Sequence, residues 1–190
     1  MSSLTPEEDA RPEPPQHADE VTTLMGFLDF LRATVAWKTD GLTSAELQRR
    51  PLPSTMTLGG LLKHLAFVED YWFCYVLLGQ EPCAPWNDID WADDPDWDWN
   101  SAAANSPEEL RSMWASAVET SREQWDRFAA RTDHPLDGMV ARSTAEDPDA
   151  RWTRGDMNAR WVLTHMIEEY ARHCGHADLL RESIDGSVGE

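Results

Sequence analysis

Basic residues are scarce in this chain. Its 190 residues hold 16 Lys and Arg against 35 Asp and Glu, a formal net charge of −19. A surface of that sign repels phosphate backbones and anionic lipid, so neither nucleic acid nor a membrane surface is an expected partner. Long apolar runs are also missing: no stretch of about eighteen apolar residues occurs, and no membrane-spanning helix is expected. The opening Met1-Ser-Ser-Leu-Thr-Pro-Glu-Glu-Asp9 has neither the basic nor the apolar region of a secretory leader, and the expected location is cytoplasmic. Cysteine is the third shortage. Cys74, Cys83 and Cys174 are odd in number and form no CxxC pair, which excludes a disulfide framework and fits a reducing compartment.

What is present is enough for one core. The chain is 41% hydrophobic and 9% aromatic, an ordinary composition for one globular domain of this length. Its apolar residues recur at helical spacing in four long segments. The first runs from about Asp19 to Thr39, with Leu24, Phe27, Leu28, Leu31 and Val35 on its apolar face. Thr43-Ser-Ala-Glu46 is a capping box that opens a short helix, and Pro51-Leu-Pro53 ends it. The second long helix spans about Leu58 to Leu78 and stops at Gly79. Ser106-Pro-Glu-Glu109 combines an N-cap, a first-turn proline and early acids, opening a third helix that runs to about Ala130 with Leu110, Trp114, Val118 and Trp125 inward. A polar loop with Pro135, Gly138 and Pro148 leads to the fourth, from about Asn158 to Arg181, with Ile184-Asp-Gly186 marking the end. Apart from a short strand that could hide in Gly138-Met-Val-Ala141, no strand is expected. The fold class is therefore all-α, a four-helix bundle with a crossover connection between helices two and three. Residues 1–18, rich in Pro and Glu, read as a disordered N-terminal tail, 19–186 as the bundle domain and 187–190 as a C-terminal tail.

The chemistry is concentrated on the fourth helix. His165, Glu169, His173 and His176 are spaced by four, four and three, within a stripe of roughly 80° at about 100° per residue. The same stripe carries Trp161, Val162, Met166 and Leu180, so the polar groups lie where the helix should bury apolar surface. On the second helix His64 sits in the same way among Leu61, Val68, Tyr71, Trp72 and Tyr75. A buried imidazole or carboxylate costs several kcal/mol unless it is paired or binds a metal. A pair at i and i+4 plus one ligand from a neighbouring helix gives three protein ligands and an open position, the arrangement of a catalytic zinc-type site. The bland alternative is a set of core histidines hydrogen-bonded to backbone carbonyls, with Glu169 paired internally. His165 and His176 could be further ligands, hydrogen-bond partners of ligands, or proton carriers, and spacing does not choose among these. Cys174 adjoins His173 and, about 100° away around the axis, points off the stripe.

The segment from Trp86 to Trp99 alternates tryptophan with aspartate. Read as a calcium loop it lacks the glycine and the closing glutamate of that motif. It reads better as a connection whose tryptophans fold back on the helices, beside the site.

These residues resemble a known family. An inward His64 followed by Glu169-xxx-His173-xx-His176 is similar to the DinB superfamily of metal-binding four-helix bundles, and Gly26-Phe-Leu-Asp29, Leu62-Lys-His-Leu65, Trp72-Phe73, His165-Met-Ile-Glu-Glu169 and His176-Ala-Asp-Leu-Leu-Arg-Glu182 resemble its mycothiol-transferase-like branch, over most of residues 20–186. The resemblance implies a metal held by His64, Glu169 and His173, with zinc the first expectation and nickel the second, and homodimers among relatives. Many members have histidine where Glu169 stands; His–Glu–His resembles the site of mycothiol-dependent maleylpyruvate isomerase. The implied activity is that of a metal-dependent S-transferase, in which a low-molecular-weight thiol such as mycothiol is activated for attack on an electrophilic small molecule. Metal-assisted hydrolysis and a non-catalytic metal-binding stress-response role are the alternatives. Two histidines and a glutamate do not by themselves separate zinc from nickel, manganese or iron.

Overall fold

The computed structural model describes residues 11–142 and 156–188. The described chain is helical, and its long helices begin where the sequence supplies caps. Helix α1 (Glu20–Thr39) is capped by Asp19, whose carboxylate accepts from the Thr22 amide at 2.8 Å. The short α2 (Ser44–Leu47) has the reciprocal Thr43/Glu46 box. Helix α3 (Leu58–Glu69) starts at Thr57, which accepts from the Gly60 amide at 2.9 Å. After one-turn α4 (Trp97–Asn100), helix α5 (Pro107–Ala129) opens on the Ser106/Glu109 box with Pro107 at its first position. Helix α6 (Ala159–Asp185) is capped by Asn158 and terminated by Gly186 at φ 79°, a left-handed conformation that favours glycine. It runs one turn beyond the expected end.

Two features depart from the sequence reading, and a third was left open by it. The second long helix is not α-helical throughout: residues Asp70–Leu77 continue α3 as π-helix, a wider winding that accompanies full burial of the consecutive Trp72, Phe73 and Cys74. Phe27, expected inside, is 47% exposed, whereas Leu28 and Val35 are fully buried. The segment from Gly138 forms no strand among the described residues, only an isolated antiparallel bridge between Met139 and Asn158. Of the expected N-terminal tail, residues 1–10 lie outside the described part. Residues 11–18 are not helical, and Arg11 hydrogen-bonds the Thr34 hydroxyl at 3.0 Å with its guanidinium over the rings of Phe30 and Trp37. Pro148 and residues 189–190 also fall outside the described residues.

Helix α1 packs along α6, and α3 along α5. A polar network joins all four. Arg32 of α1 forms a bidentate pair with Glu69 of α3, at 2.9 and 2.8 Å, with both side chains at most 2% exposed. Tyr170 of α6 donates to the same carboxylate at 2.6 Å and accepts from the Trp114 indole of α5 at 2.9 Å. Ser121 of α5 adds a bond to the Glu69 carbonyl at 3.3 Å. No helix among the described residues is long and apolar enough to cross a membrane.

The network predicts an ordered set of stabilities. Glu69→Ala removes the bidentate partner of the buried Arg32, leaving it Asp29 at 3.0 Å, and is expected to destabilise the fold by about 3–5 kcal/mol. Tyr170→Phe removes one donor from a charged acceptor and one acceptor from Trp114, and should lose about 1–3 kcal/mol. Urea unfolding of both variants checks the order; a Tyr170→Phe protein as stable as the parent would mean that the phenol is idle.

Candidate metal centre

Three of the side chains singled out on helical periodicity meet in space. His64 comes from α3, Glu169 and His173 from successive turns of α6, and all three are buried. One donor atom from each lies within 4.8 Å of the others. The two imidazoles converge on one oxygen: His64 Nε2 and His173 Nε2 both stand 3.1 Å from Glu169 Oε1. The other oxygen of Glu169 is held by Arg172, one turn along the same helix.

The partner of His64 comes from outside the helices that sequence reasoning had joined. Asp98, on α4 within the Trp/Asp segment, is 2% exposed and its Oδ2 lies 2.6 Å from His64 Nδ1. A carboxylate can only accept here, so Nδ1 carries the proton and the Nε2 of a neutral His64 presents a lone pair to Glu169. Two lone pairs then oppose each other at 3.1 Å unless a proton or a metal cation lies between them. Carboxylate–histidine–metal arrangements have this layout. Asp98 Oδ1 is buried with no hydrogen-bond partner among the described residues, so the carboxylate's hydrogen bonding is spent on His64. The donor set fits a borderline divalent ion: two imidazole nitrogens and a carboxylate oxygen, oriented by a further carboxylate.

The electrostatics follow from this crowding. Burial opposes the charged form of His64, but its bonds to Asp98 and Glu169 outweigh burial and raise its pKa above the ordinary value. Burial dominates at His173, lowering its pKa despite the contact with Glu169. Glu169 would be pushed up by burial, yet the two imidazoles and Arg172 hold its carboxyl far below the usual range. The imidazole between two carboxylates therefore takes a proton more readily than the one that touches only Glu169.

Aromatic rings close the site. The indole of Trp99 stacks on His64 with centroids 4.6 Å apart and lies 5.7 Å from His173. It can approach because position 60 is glycine: a Cβ there would stand 2.8 Å from Trp99 Cε3. The rest of the acidic connection covers α3, with Trp86 and Trp91 packed on Phe67 at 5.5 and 4.5 Å while Asp88, Asp90, Asp93 and Asp96 stay exposed. Of the remaining candidates, His176 Nδ1 is 3.4 Å from His173 Nδ1. His165 lies between the rings of Trp72 and Trp161, at 4.7 and 5.0 Å, and pairs with Glu168 at 3.3 Å. It groups with Glu168 and Glu169 rather than with His64. Cys174 points to the Leu31 carbonyl on α1, at 3.5 Å.

Comparison with known proteins gives this geometry a lineage. The sequence profile described as Mycothiol-S-transferase matches residues 23–186. The chain belongs to that family. A crystal structure described as a conserved protein from Enterococcus faecalis superposes with a TM-score of 0.55 at 16% identity, covering 90% of this chain and all of that one, which establishes a shared fold. No curated protein sequence matches the chain. Trp99 stands where the sequence reading puts the tryptophans of the connection, folded back beside the site, whereas Asp98 was missed, because a row of aspartates gives no sign of which one turns inward.

Asp98→Asn keeps the shape of that residue but lets its amide donate, which releases the tautomer of His64. It is expected to weaken divalent-ion binding by roughly 10–100-fold, measured by competition against a chromophoric chelator. Unchanged affinity would show that Asp98 does not orient a ligand.

Proposed function

We propose that the protein is a metal-dependent thiol S-transferase, which activates a low-molecular-weight thiol of the mycothiol class for attack on an electrophilic small molecule. The observation that carries the reading is the opposition of His64 Nε2 to Glu169 Oε1 at 3.1 Å, with the proton of His64 fixed on the other nitrogen by Asp98. Membership of the mycothiol-S-transferase family supports the choice of thiol transfer over other uses of such a site. His64, Glu169 and His173 would hold the ion, zinc or alternatively nickel. When bound, a divalent ion with an open position supplies Lewis acidity that favours a thiolate near neutral pH.

The remaining tasks fall to the chain. Asp98 orients His64, and Arg172 holds one oxygen of Glu169 so that the other faces the two imidazoles. Trp99 shields the imidazoles from water and also lines a cleft of about 250 Å³ with Gln48, Arg50, Thr57 and Asn100, which we assign to the small-molecule substrates. The thiol sulfur forms a bond to the electrophilic carbon, the bond to the leaving group breaks, and the thiol proton reaches solvent. His176 beside His173, and His165 beside Glu169, are assigned to orienting the ligands and carrying that proton. In the same reading the long helices α1, α3, α5 and α6 form a four-helix bundle, with residues 78–106 as the crossover, and the enzyme works in the cytoplasm.

The test is conjugation of a model electrophile by untagged protein, with mycothiol and with no thiol. Chelation and His173→Ala are each expected to lower the thiol-dependent rate by on the order of a hundredfold or more, because the ion's contribution is several kcal/mol and about 1.36 kcal/mol is tenfold. Added zinc should restore the chelated parent but not the variant. A rate unchanged by chelation sinks the mechanism; turnover without thiol would point to hydrolysis, and ion uptake without turnover on any thiol to a metal-binding module.

A further inference from the structure

A second group of ligating side chains lies further along the same helix. Asp70 follows His64 by six residues, about 9 Å along the axis and roughly 120° around it, so it belongs to a different face. Cys74 stands one turn on, in the π-helical continuation of α3. The chain then reverses at Gly79, whose φ of +70° favours glycine, and the Gln80 amide returns to the Cys74 carbonyl at 3.0 Å. The reversal brings Cys83 back over the helix. Its amide donates to both carboxylate oxygens of Asp70, at 3.2 and 3.3 Å. One ligating atom from each of Asp70, Cys74 and Cys83 lies within 4.8 Å of the others.

The composition of this group is unusual for a protein interior. Asp70 is 5% exposed and Cys74 1% exposed, yet no Lys, Arg or His among the described residues pairs with the Asp70 carboxylate. Its side-chain partners are the two thiols. Three acids thus converge with no basic side chain paired to them among the described residues, and burial followed by mutual repulsion pushes the Cys74 thiol pKa up. Buried negative charge without a counter-charge is costly, and a metal ion relieves it. Cys83 is exposed, so the group can be reached from solvent.

We propose that Asp70, Cys74 and Cys83 form a second cation site, sharing no residue with the His64 group, which takes a thiophilic divalent ion of the zinc or cadmium class. Two sulfurs select against magnesium and calcium, which prefer oxygen ligands. Two sulfurs and one carboxylate oxygen leave a fourth, solvent-facing position for water or an exogenous thiol. Loading forms two metal–sulfur bonds and one metal–oxygen bond, breaks two S–H bonds and releases two protons to the buffer; no electrons are transferred. The backbone bonds from Cys83 to Asp70 and from Gln80 to Cys74 hold the donors near one another beforehand, which limits the ordering needed on binding.

The experiment is a cadmium titration of reduced, metal-free, full-length protein, read by thiolate-to-metal charge-transfer absorption in the ultraviolet. One equivalent of thiolate-bound cadmium is expected in the parent, retained in His173→Ala and in Cys174→Ser, and lost in Cys83→Ser. The exposed Cys83 is the informative position because its substitution leaves the core intact, and Asp70→Asn should weaken uptake without abolishing the band. No charge-transfer absorption in the parent at saturating cadmium overturns the proposal. So does a band that survives Cys83→Ser, or one that disappears with His173→Ala. Formation of a Cys74–Cys83 disulfide under mild peroxide, with no cadmium bound by the reduced protein, also overturns it and makes the pair a redox couple instead.

Discussion

Glu69 is the constraint on which the arrangement of helices depends. Its carboxylate is fully buried on α3 and is satisfied by Arg32 from α1 and Tyr170 from α6, with Trp114 of α5 bonded in turn to the tyrosine. A buried charge left without partners costs several kcal/mol, more than most single apolar contacts supply, so this set is satisfied only when all four long helices sit in one register. The candidate metal centre inherits that register. Tyr170 follows Glu169 directly, and Glu69 lies five residues beyond His64, so α3 and α6 are tied at Glu69–Tyr170 and again at His64–Glu169. A slip of either helix by one turn would break the first contact and carry His64 away from its ligand partner. The polar network is therefore a positioning device for the site as well as a contribution to stability.

The two buried polar groups of α3 are solved in different ways. At Glu69 the charges already balance, carboxylate against guanidinium, and every oxygen has a donor. At His64 two carboxylates, Asp98 and Glu169, bracket one imidazole; Arg172, half exposed, engages Glu169 from the far side, and Lys63 acts on Asp98 through its charge without a direct bond among the described residues. The first group is closed by direct bonds between opposite charges, whereas in the second no basic Lys or Arg side chain among the described residues reaches the point where three donor atoms converge. A proton on His64 would balance part of that deficit; a divalent ion would balance more of it and would use all three donors at once. That contrast separates a structural network from a candidate binding site more firmly than burial alone, since both groups are buried.

How much of this was legible in the sequence follows from the range of the interactions. The facing of His165, Glu169, His173 and His176 is a local property of helical geometry, so their stripe could be read from spacing, and the helix starts could be read from Asp19, Thr43, Ser106 and Asn158 because caps act within a turn. Arg32 and Glu69 could not be recognised as core residues, because nothing local distinguishes a charged residue that faces solvent from one whose partner lies 37 positions away. Asp98 was hidden for the same reason, one aspartate in a row of aspartates until the connection folds over α3. Phe27 was misplaced because periodicity marks a face but not which part of that face a neighbour covers. The π-helical turn at Asp70 had no signal, since an α-helical reading accounts for the same apolar residues.

The acidic surface and the site fit a single physical account. A net charge of −19 raises the local concentration of cations and lowers that of anions, and within a Debye length of about 8 Å at physiological ionic strength this bias reaches a cleft such as that beside Trp99. A thiolate formed in bulk solvent would approach against that field. A neutral thiol would not, and on the proposed reading it is this form that enters and loses its proton only once it is inside, where the imidazoles and the ion are positioned to accept the change in charge. On the proposed reading the acidic surface thus also bears on where the thiol is ionised: behind Trp99 rather than in solution, with the nucleophile formed next to the substrate it attacks.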